Sequence, residues 1–215
     1  MARRAGTETP YVSVIVLVYN ETDSVEPLHR ELMGVLEALG TSFEVLYIDD
    51  GSRDGSSERL GQMAARDERV RVVSFRRNFG QTAAVQAGID YSRGAVLIFL
   101  DGDMQNDPHD IPHLLEKIDE GYDVVSGWRR NRRDAASRVV PSMIANWIIG
   151  WVSGVRLSDF GCTLKAYRRE VIQDVKLYGE MHRFIPVYSS MIGARITELP
   201  VNHRPRTYGR SKYSL

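Results

Sequence analysis

The stretch AVLIFLDGDMQNDP, residues 95–108, decides how the chain is read. Its first six residues are an unbroken apolar run, the pattern of a strand buried on both faces of a parallel sheet. Two carboxylates, Asp101 and Asp103, follow at once. The same pattern repeats outward. Residues 11–19 (YVSVIVLVY) read as a buried strand that runs into Asn20 and Glu21. Residues 43–49 (FEVLYID) read as a second, ending in Asp50-Gly51-Ser52-Arg53-Asp54-Gly55. Residues 70–75 give a third that ends at Arg76-Arg77-Asn78-Phe79-Gly80, and 123–126 a fifth. Between them lie amphipathic stretches at 25–39, 57–66, 81–91 and 110–120. In the first of these, Leu28, Leu32, Val35, Leu36 and Leu39 share one helical face. Ser24 or Asp23 is its expected cap, and Gly40 its stop. The alternation predicts an α/β fold with a mostly parallel central sheet and helices on both faces. Ligands of such sheets bind beyond the carboxyl ends of the strands. The four polar clusters are therefore expected on one rim.

Composition narrows the classes. The chain has 215 residues, which suits one α/β domain. Residues 1–10 read as a flexible tail and 11–215 as a single domain without linker or repeat. Apolar residues at 43% and charged residues at 26% describe a globular chain. Lys+Arg and Asp+Glu are 28 each, so the zero net charge gives no bulk attraction to nucleic acid. One cysteine, Cys162, excludes an internal disulfide and a cysteine-based zinc cluster. The N-terminus lacks the apolar segment of a signal peptide. No run reaches the roughly 18 apolar residues of a membrane span. There is no G-x-G-x-x-G after a strand, no P-loop and no G-x-S-x-G elbow.

The Asp101-Gly102-Asp103 segment is the sharpest candidate site. If it stays extended, Asp101, Asp103 and Gln105 share one face. Two carboxylates about 5 Å apart repel by roughly 3 kcal/mol at an effective dielectric of about 20. A divalent cation such as Mg²⁺ or Mn²⁺ removes that cost and takes oxygen ligands. Gly102 would keep the backbone open to a diphosphate. The plain alternative is an Asp-Gly turn with solvated carboxylates. Asp50 is placed to accept a hydrogen bond from a base or ribose, and Ser52, Asp54 or Ser56 to cap the next helix. His109 and His113 stand four apart, but no third ligand is nearby, which favours a solvated helical turn over zinc. Cys162 reads as a packed thiol.

Arg129, Arg130, Arg132, Arg133 and Arg138 form a basic run leading into residues 139–155 (VVPSMIANWIIGWVSGV). That stretch is either a core helix or an interfacial one, with tryptophans at headgroup depth and arginines on lipid phosphates. Residues 204–213 (RPRTYGRSKY) form a cationic segment, either a tail or a lid over phosphates.

Together these motifs resemble the inverting family 2 glycosyltransferases of the GT-A, Rossmann-like fold, and more narrowly the polyprenyl-phosphate glycosyltransferases. The motifs are V-Y-N-E at 18–21, D-D-G-S-x-D-G at 49–55, R-N-F-G-Q at 77–81, D-x-D-x-Q-x-D-P at 101–108 and D-F-G-C-x-L-K-A-Y-R-R at 159–169. Residues 184–214 look closest to the formamidoarabinose transferase branch. The resemblance implies transfer of one sugar, with inversion, from a UDP- or GDP-sugar to a polyprenyl phosphate. It places that reaction at the cytoplasmic face of the membrane and leaves a homo-oligomer open.

By the same resemblance Tyr19, Glu21, Asp50 and Gln81 hold the nucleotide sugar, and Asp101, Asp103 and Gln105 hold Mg²⁺ or Mn²⁺ and the diphosphate. Arg129, Arg138 and Ser142 receive the lipid phosphate, Asp159 sits at the reacting centre with Lys165 beside it, and Arg210 and Lys212 belong to a closing loop. Val18 stands where the family usually has proline. The Gln-x-x-Arg-Trp motif of processive synthases is absent, which implies single transfer. The chain ends at Leu215, where members of the branch normally continue into membrane helices, so the expectation is a catalytic domain without its C-terminal anchor, or with an anchor elsewhere. The alternatives are a family 2 transferase using a soluble or protein-linked glycan hydroxyl, and a nucleotide-sugar-binding module without turnover.

Overall fold

The computed structural model describes residues 9–130, 149–151 and 153–208. Strands and helices alternate as β1 (Val12–Val18), α1 (Val25–Ala38), β2 (Phe43–Asp49), α2 (Ser56–Arg66), β3 (Val70–Ser74), α3 (Gln81–Tyr91) and β4 (Val96–Asp101). A 3-10 turn (Pro108–Asp110) leads into α4 (Ile111–Asp119), then β5 (Val124–Trp128) and β6 (Lys165–Arg168). The chain continues through a 3-10 turn (Met181–Phe184) into α5 (Ile185–Met191) and β7 (Ile196–Pro200).

The described strands form one sheet in the order β3-β2-β1-β4-β6-β5-β7. β1, β2, β3 and β4 are mutually parallel, as are β5 and β7. β6 runs antiparallel to both of its neighbours. The order reverses at β1, so the first two connections and the third leave in opposite directions, and helices cover both faces.

Alternation along the strands builds the two halves of the core. Val12, Val14, Val16 and Val18 of β1 join Val96, Ile98 and Leu100 of β4 on the face covered by α1, α2 and α4. Ile15 and Leu17, with Leu97 and Phe99, pack on the other face against α3 and Ile185 of α5. Burial on both faces explains why these strands read as continuous apolar runs.

Three local expectations are corrected. The helix expected at 110–120 begins as a 3-10 turn, with the Asp107 side chain accepting from the His109 N–H at 3.0 Å. Ser24 stands at the N-cap of α1, but its hydroxyl makes no cap bond; it donates instead to Gly102 O at 2.8 Å. Residues 101–105 are not extended: Gly102 and Asp103 form a turn, and Met104 is left-handed at φ 62°. A Cβ on Gly102 would meet Leu17 O at 2.9 Å and Val18 Cγ2 at 3.1 Å. The glycine therefore lets the turn lie against β1, rather than clearing space for a ligand.

Candidate active site

The carboxyl ends of β1 and β2 are stitched into one rim. Asn20, left-handed at φ 53°, donates its N–H to Ser52 Oγ at 2.8 Å, and its Oδ1 accepts from Arg53 N–H at 2.7 Å. The Glu21 N–H donates to Ser56 Oγ at 2.9 Å and the Thr22 N–H to Asp54 Oδ2 at 3.0 Å. Asp54 also accepts from the Ser56 N–H, so it serves the start of α2. These loop bonds fix Glu21, which is only 7% exposed. Its Oε2 also lies 3.1 Å from Ser24 Oγ, the hydroxyl that holds the β4 turn.

Asp101 and Asp103 stand together on that turn. Burial is the larger cause of a raised Asp101 pKa, at about 7, and the Asp103 charge adds to it. Thr163, Arg129 and Lys165 pull the other way. Asp103 is raised as well, first by burial, against a hydrogen bond from the Gln105 N–H and the charge of Arg206. Arg206 already spans the rim, with Nη1 to Glu21 Oε1 at 3.0 Å and Nη2 to Asp103 Oδ2 at 2.5 Å. Among the described residues Arg206 is the cation paired on the rim, and Arg129 and Lys165 do not offset the burial of Asp101. Carboxylate oxygens are the donor type that Mg²⁺ or Mn²⁺ takes.

The remaining nucleotide-side candidates have defined places. The two Asp50 oxygens accept from the Phe79 and Gly80 N–H groups at 2.7 and 2.9 Å, so this carboxylate organises the β3–α3 loop. Its pKa is raised, by burial first, against those two bonds. Gly51 lies under that loop with φ 72°, where a Cβ would meet Arg77 C at 2.3 Å. Gln81 Nε2 lies 3.4 Å from Asp101 Oδ1 and 3.5 Å from Thr163 Oγ1. Gln105 directs its Nε2 to Arg204 O at 3.4 Å. Tyr19 is half-buried just past the end of β1.

On the β5–β6 side the structure brings Asp159 and Arg129 into one pair. Arg129 Nε donates to Asp159 Oδ2 at 2.7 Å and Nη2 to Oδ1 at 3.0 Å, a two-pronged bond. The Gly161 N–H also donates to Oδ1. Burial works against the Arg129 charge, but the Asp159 pair outweighs it and raises the pKa. Lys165, 4% exposed, donates to the carbonyls of Phe160 and Cys162, and burial lowers its pKa. Cys162 is buried with its thiol pKa raised by burial, as a packed thiol should be. The electrostatic reach of Arg129 and Lys165 to Asp101 joins this side to the rim.

Arg138, Ser142, Arg210 and Lys212 lie outside the described residues, as do Arg132, Arg133 and most of the 139–155 stretch. Of that stretch, residues 149–151 and 153 are helical and Trp151 is 77% exposed. Among the described residues no helix is long and apolar enough to cross a membrane.

His109 does meet two carboxylates, Glu31 and Asp107, but Arg204 bridges them already at 2.7 and 2.6 Å. Arginine thus meets the charge of this cluster, as Arg206 does on the Asp101 rim. Thr163, His203 and Arg206 were missed in the sequence. His203 pairs with Asn106 in a β-bridge and lies close enough to Asp103 to lower its pKa. Only the basic character of residues 204–213 hinted at Arg206.

Residues 13–176 match the model of the family described as glycosyl transferase family 2. A dodecaprenyl-phosphate galacturonate synthase from Rhizobium johnstonii is 42% identical over 98% of this chain and 65% of its own length. An undecaprenyl-phosphate 4-deoxy-4-formamido-L-arabinose transferase from Salmonella paratyphi A is 42% identical over 95% of this chain and 63% of its own. The chain thus spans a little under two thirds of the length of these relatives. Among solved structures, a Mycobacterium tuberculosis glucosyl-3-phosphoglycerate synthase with Mn²⁺, UDP and phosphoglyceric acid matches 92% of this chain and 72% of that chain. Its TM-score is 0.71 at 19% identity, a likeness of GT-A fold.

Proposed function

The chain belongs to glycosyl transferase family 2, and from that premise we propose that it moves one sugar from a nucleoside-diphosphate donor to a polyprenyl phosphate at the cytoplasmic membrane surface. The observation that carries the choice of acceptor is the Arg129–Asp159 pair. A hydroxyl acceptor must lose a proton during attack and needs a base. Asp159, the carboxylate expected at the reacting centre, is instead held by Arg129 and by the Gly161 N–H. A phosphate monoester is mostly a dianion near pH 7 and attacks without a base. Its oxygen displaces the nucleoside diphosphate from the anomeric carbon in one in-line step, which inverts the configuration.

Glu21, Asp101 and Asp103, with His203 beside Asp103, are the residues that would hold a divalent cation. When bound, such an ion would neutralise the departing diphosphate. Arg206, now on Glu21 and Asp103, is placed to turn onto the diphosphate. Gln81 would orient the donor beside Asp101, and Arg129 would meet the acceptor phosphate while Asp159 aligns it. Arg138 and Ser142 are assigned to that phosphate, and Arg210 and Lys212 to the closing loop, by the family resemblance alone. The names of the lipid-phosphate relatives support the acceptor class.

The test is transfer from a panel of UDP- and GDP-sugars to polyprenyl phosphate and to the matching polyprenol, with Mg²⁺, with Mn²⁺ and with chelator. Product is expected on the phosphate only, and only with metal. Equal transfer to the polyprenol, or to a soluble glycan, would overturn the reading.

A further inference from the structure

Next to the acidic rim lies a cavity of opposite character, of about 60 Å³, between α3, β6 and the 181–184 turn. Gln81, Thr163, Lys165, His182 and Arg183 line it over an apolar floor that includes Phe99, and no carboxylate is among its lining residues. The volume takes a substituent of a sugar ring and not a nucleotide. Gln81 marks its boundary with the rim, since its amide reaches Asp101 on one side and Thr163 on the other. A donor with its diphosphate at Asp101 and Asp103 therefore carries its sugar toward this cavity.

The polar groups lining the cavity have hydrogen-bonding roles set in part by Thr82 behind them. Thr82 Oγ1 lies 2.5 Å from Gly179 O, so its proton goes to that carbonyl. The same oxygen lies 2.7 Å from His182 Nδ1 and can then only accept. This fixes the tautomer, with the proton on Nδ1 and a lone pair on Nε2. Burial first, then Arg183 and Lys165, lowers the His182 pKa to about 4, so the ring is neutral near pH 7. His182 Nε2 makes no hydrogen bond to a described residue and offers an acceptor for a hydroxyl. Lys165 uses two of its three N–H donors on carbonyls, and no described carboxylate is in ion-pair range. Among the described residues Arg183 pairs with Glu180 at 3.6 Å, an exposed pair of little worth. Lys165 and Arg183 thus both line one small space that has a free imidazole acceptor and no carboxylate in its lining.

Resting on the transferase reading above, we infer that this cavity receives one edge of the donor's sugar, with a ring hydroxyl donating to His182 Nε2 and a carboxylate substituent meeting Lys165 and Arg183. The donor class is then a nucleoside-diphosphate uronic acid. A neutral hydroxymethyl at the same place would leave both cations unmatched. The guanidinium fork of Arg183 suits a carboxylate.

Titration calorimetry on the chain with Mn²⁺ compares the hexuronate and the matching hexose on whichever nucleoside diphosphate binds. Wild type is expected to favour the uronate by about 10-fold or more, as a charge-assisted bond requires. Arg183→Gln, at an exposed position that tolerates substitution, should bring the two within about 3-fold by weakening only the uronate. Equal affinities in wild type, or an equal loss for both donors in R183Q, overturn the inference. So does an R183Q variant that keeps its donor preference but needs more polyprenyl phosphate, which would give the cations to the acceptor. Failure of the transferase reading shows separately, as no lipid-linked product from any donor, and leaves the binding comparison intact.

Discussion

Glu44 and Asp101 sit at opposite ends of parallel strands in the same sheet, and their surroundings are inverted. Glu44, at the amino end of β2, is 1% exposed. It accepts from Ser13 Oγ at 2.7 Å, the Arg93 N–H at 2.6 Å, Arg93 Nε at 2.9 Å and Arg71 Nη1 at 3.0 Å. Burial pushes its pKa up, and these four bonds overcome that and lower it. Asp101, at the carboxyl end of β4, is pushed up by burial and then by Asp103, and its opposing partners do not restore it. One end of the sheet is built to keep a charge. The other holds a carboxylate whose charge its surroundings oppose, as expected where ligands bind and not where strands are merely anchored.

The largest effect should come from the unsatisfied end. Asp103→Asn is expected to cut transfer by about 100-fold or more, because metal and diphosphate lose a ligand. Its melting temperature should hold or rise, since a like-charge contact is removed. Activity within about 3-fold of wild type would break the contrast between the two ends.

The satisfied end should behave in reverse. Glu44→Gln leaves buried donors poorly matched and should cost about 2–3 kcal/mol. For a chain of this size that is a fall of about 4–12 °C in Tm, with turnover per folded molecule unchanged. An unchanged Tm would show that the Glu44 cluster does not anchor the sheet.

The smallest effect is the pH response of the metal-free chain. Asp101 has a folded pKa above its unfolded value, so its ionised form is penalised in the fold. That penalty is full above about pH 7 and disappears as pH falls toward 4. Stability from this group should therefore rise between pH 8 and pH 5. Glu44 has the opposite sign: its contribution is present above its unfolded pKa and lost as pH falls through the lower folded one. Thermal melts of wild type and Asp101→Asn across pH 5–8 isolate the first term, and Mn²⁺ should flatten the wild-type slope. The carboxylates titrate as a coupled pair, so the midpoint belongs to Asp101 and Asp103 together. A wild-type slope that Asp101→Asn leaves unchanged would sharpen the comparison against this assignment.

Much of the rim was legible in the chain, because each cluster directly follows a strand whose apolar run is unmistakable. Glu21, Asp101 and Asp103 were found in this way, and Arg206 draws Glu21 and Asp103 together. Other parts misled for local reasons. Ser24 has the residue type of a cap, but its hydroxyl finds a better partner across the sheet at Gly102 O. β7 went unseen because ITELP is a half-exposed edge strand without a continuous apolar run. α5 is seven residues long with proline in its first turn, too short for a helical period to register.

The sequence by itself determined the α/β alternation and the two faces of each central strand, since each depends on side-chain periodicity within a few residues; the family was legible in it through the resemblance of its motifs. Tertiary structure alone decided the order β3-β2-β1-β4-β6-β5-β7, with β6 inserted antiparallel between β4 and β5. It alone paired Arg129 with Asp159, Arg206 with Asp103 and His182 with Thr82, across 30, 103 and 100 residues. It also decided that Glu44 keeps its charge and Asp101 resists it. Local sequence fixes where a carboxylate lies along a strand, but its ionisation depends on the burial and the counter-charges that distant segments bring to it.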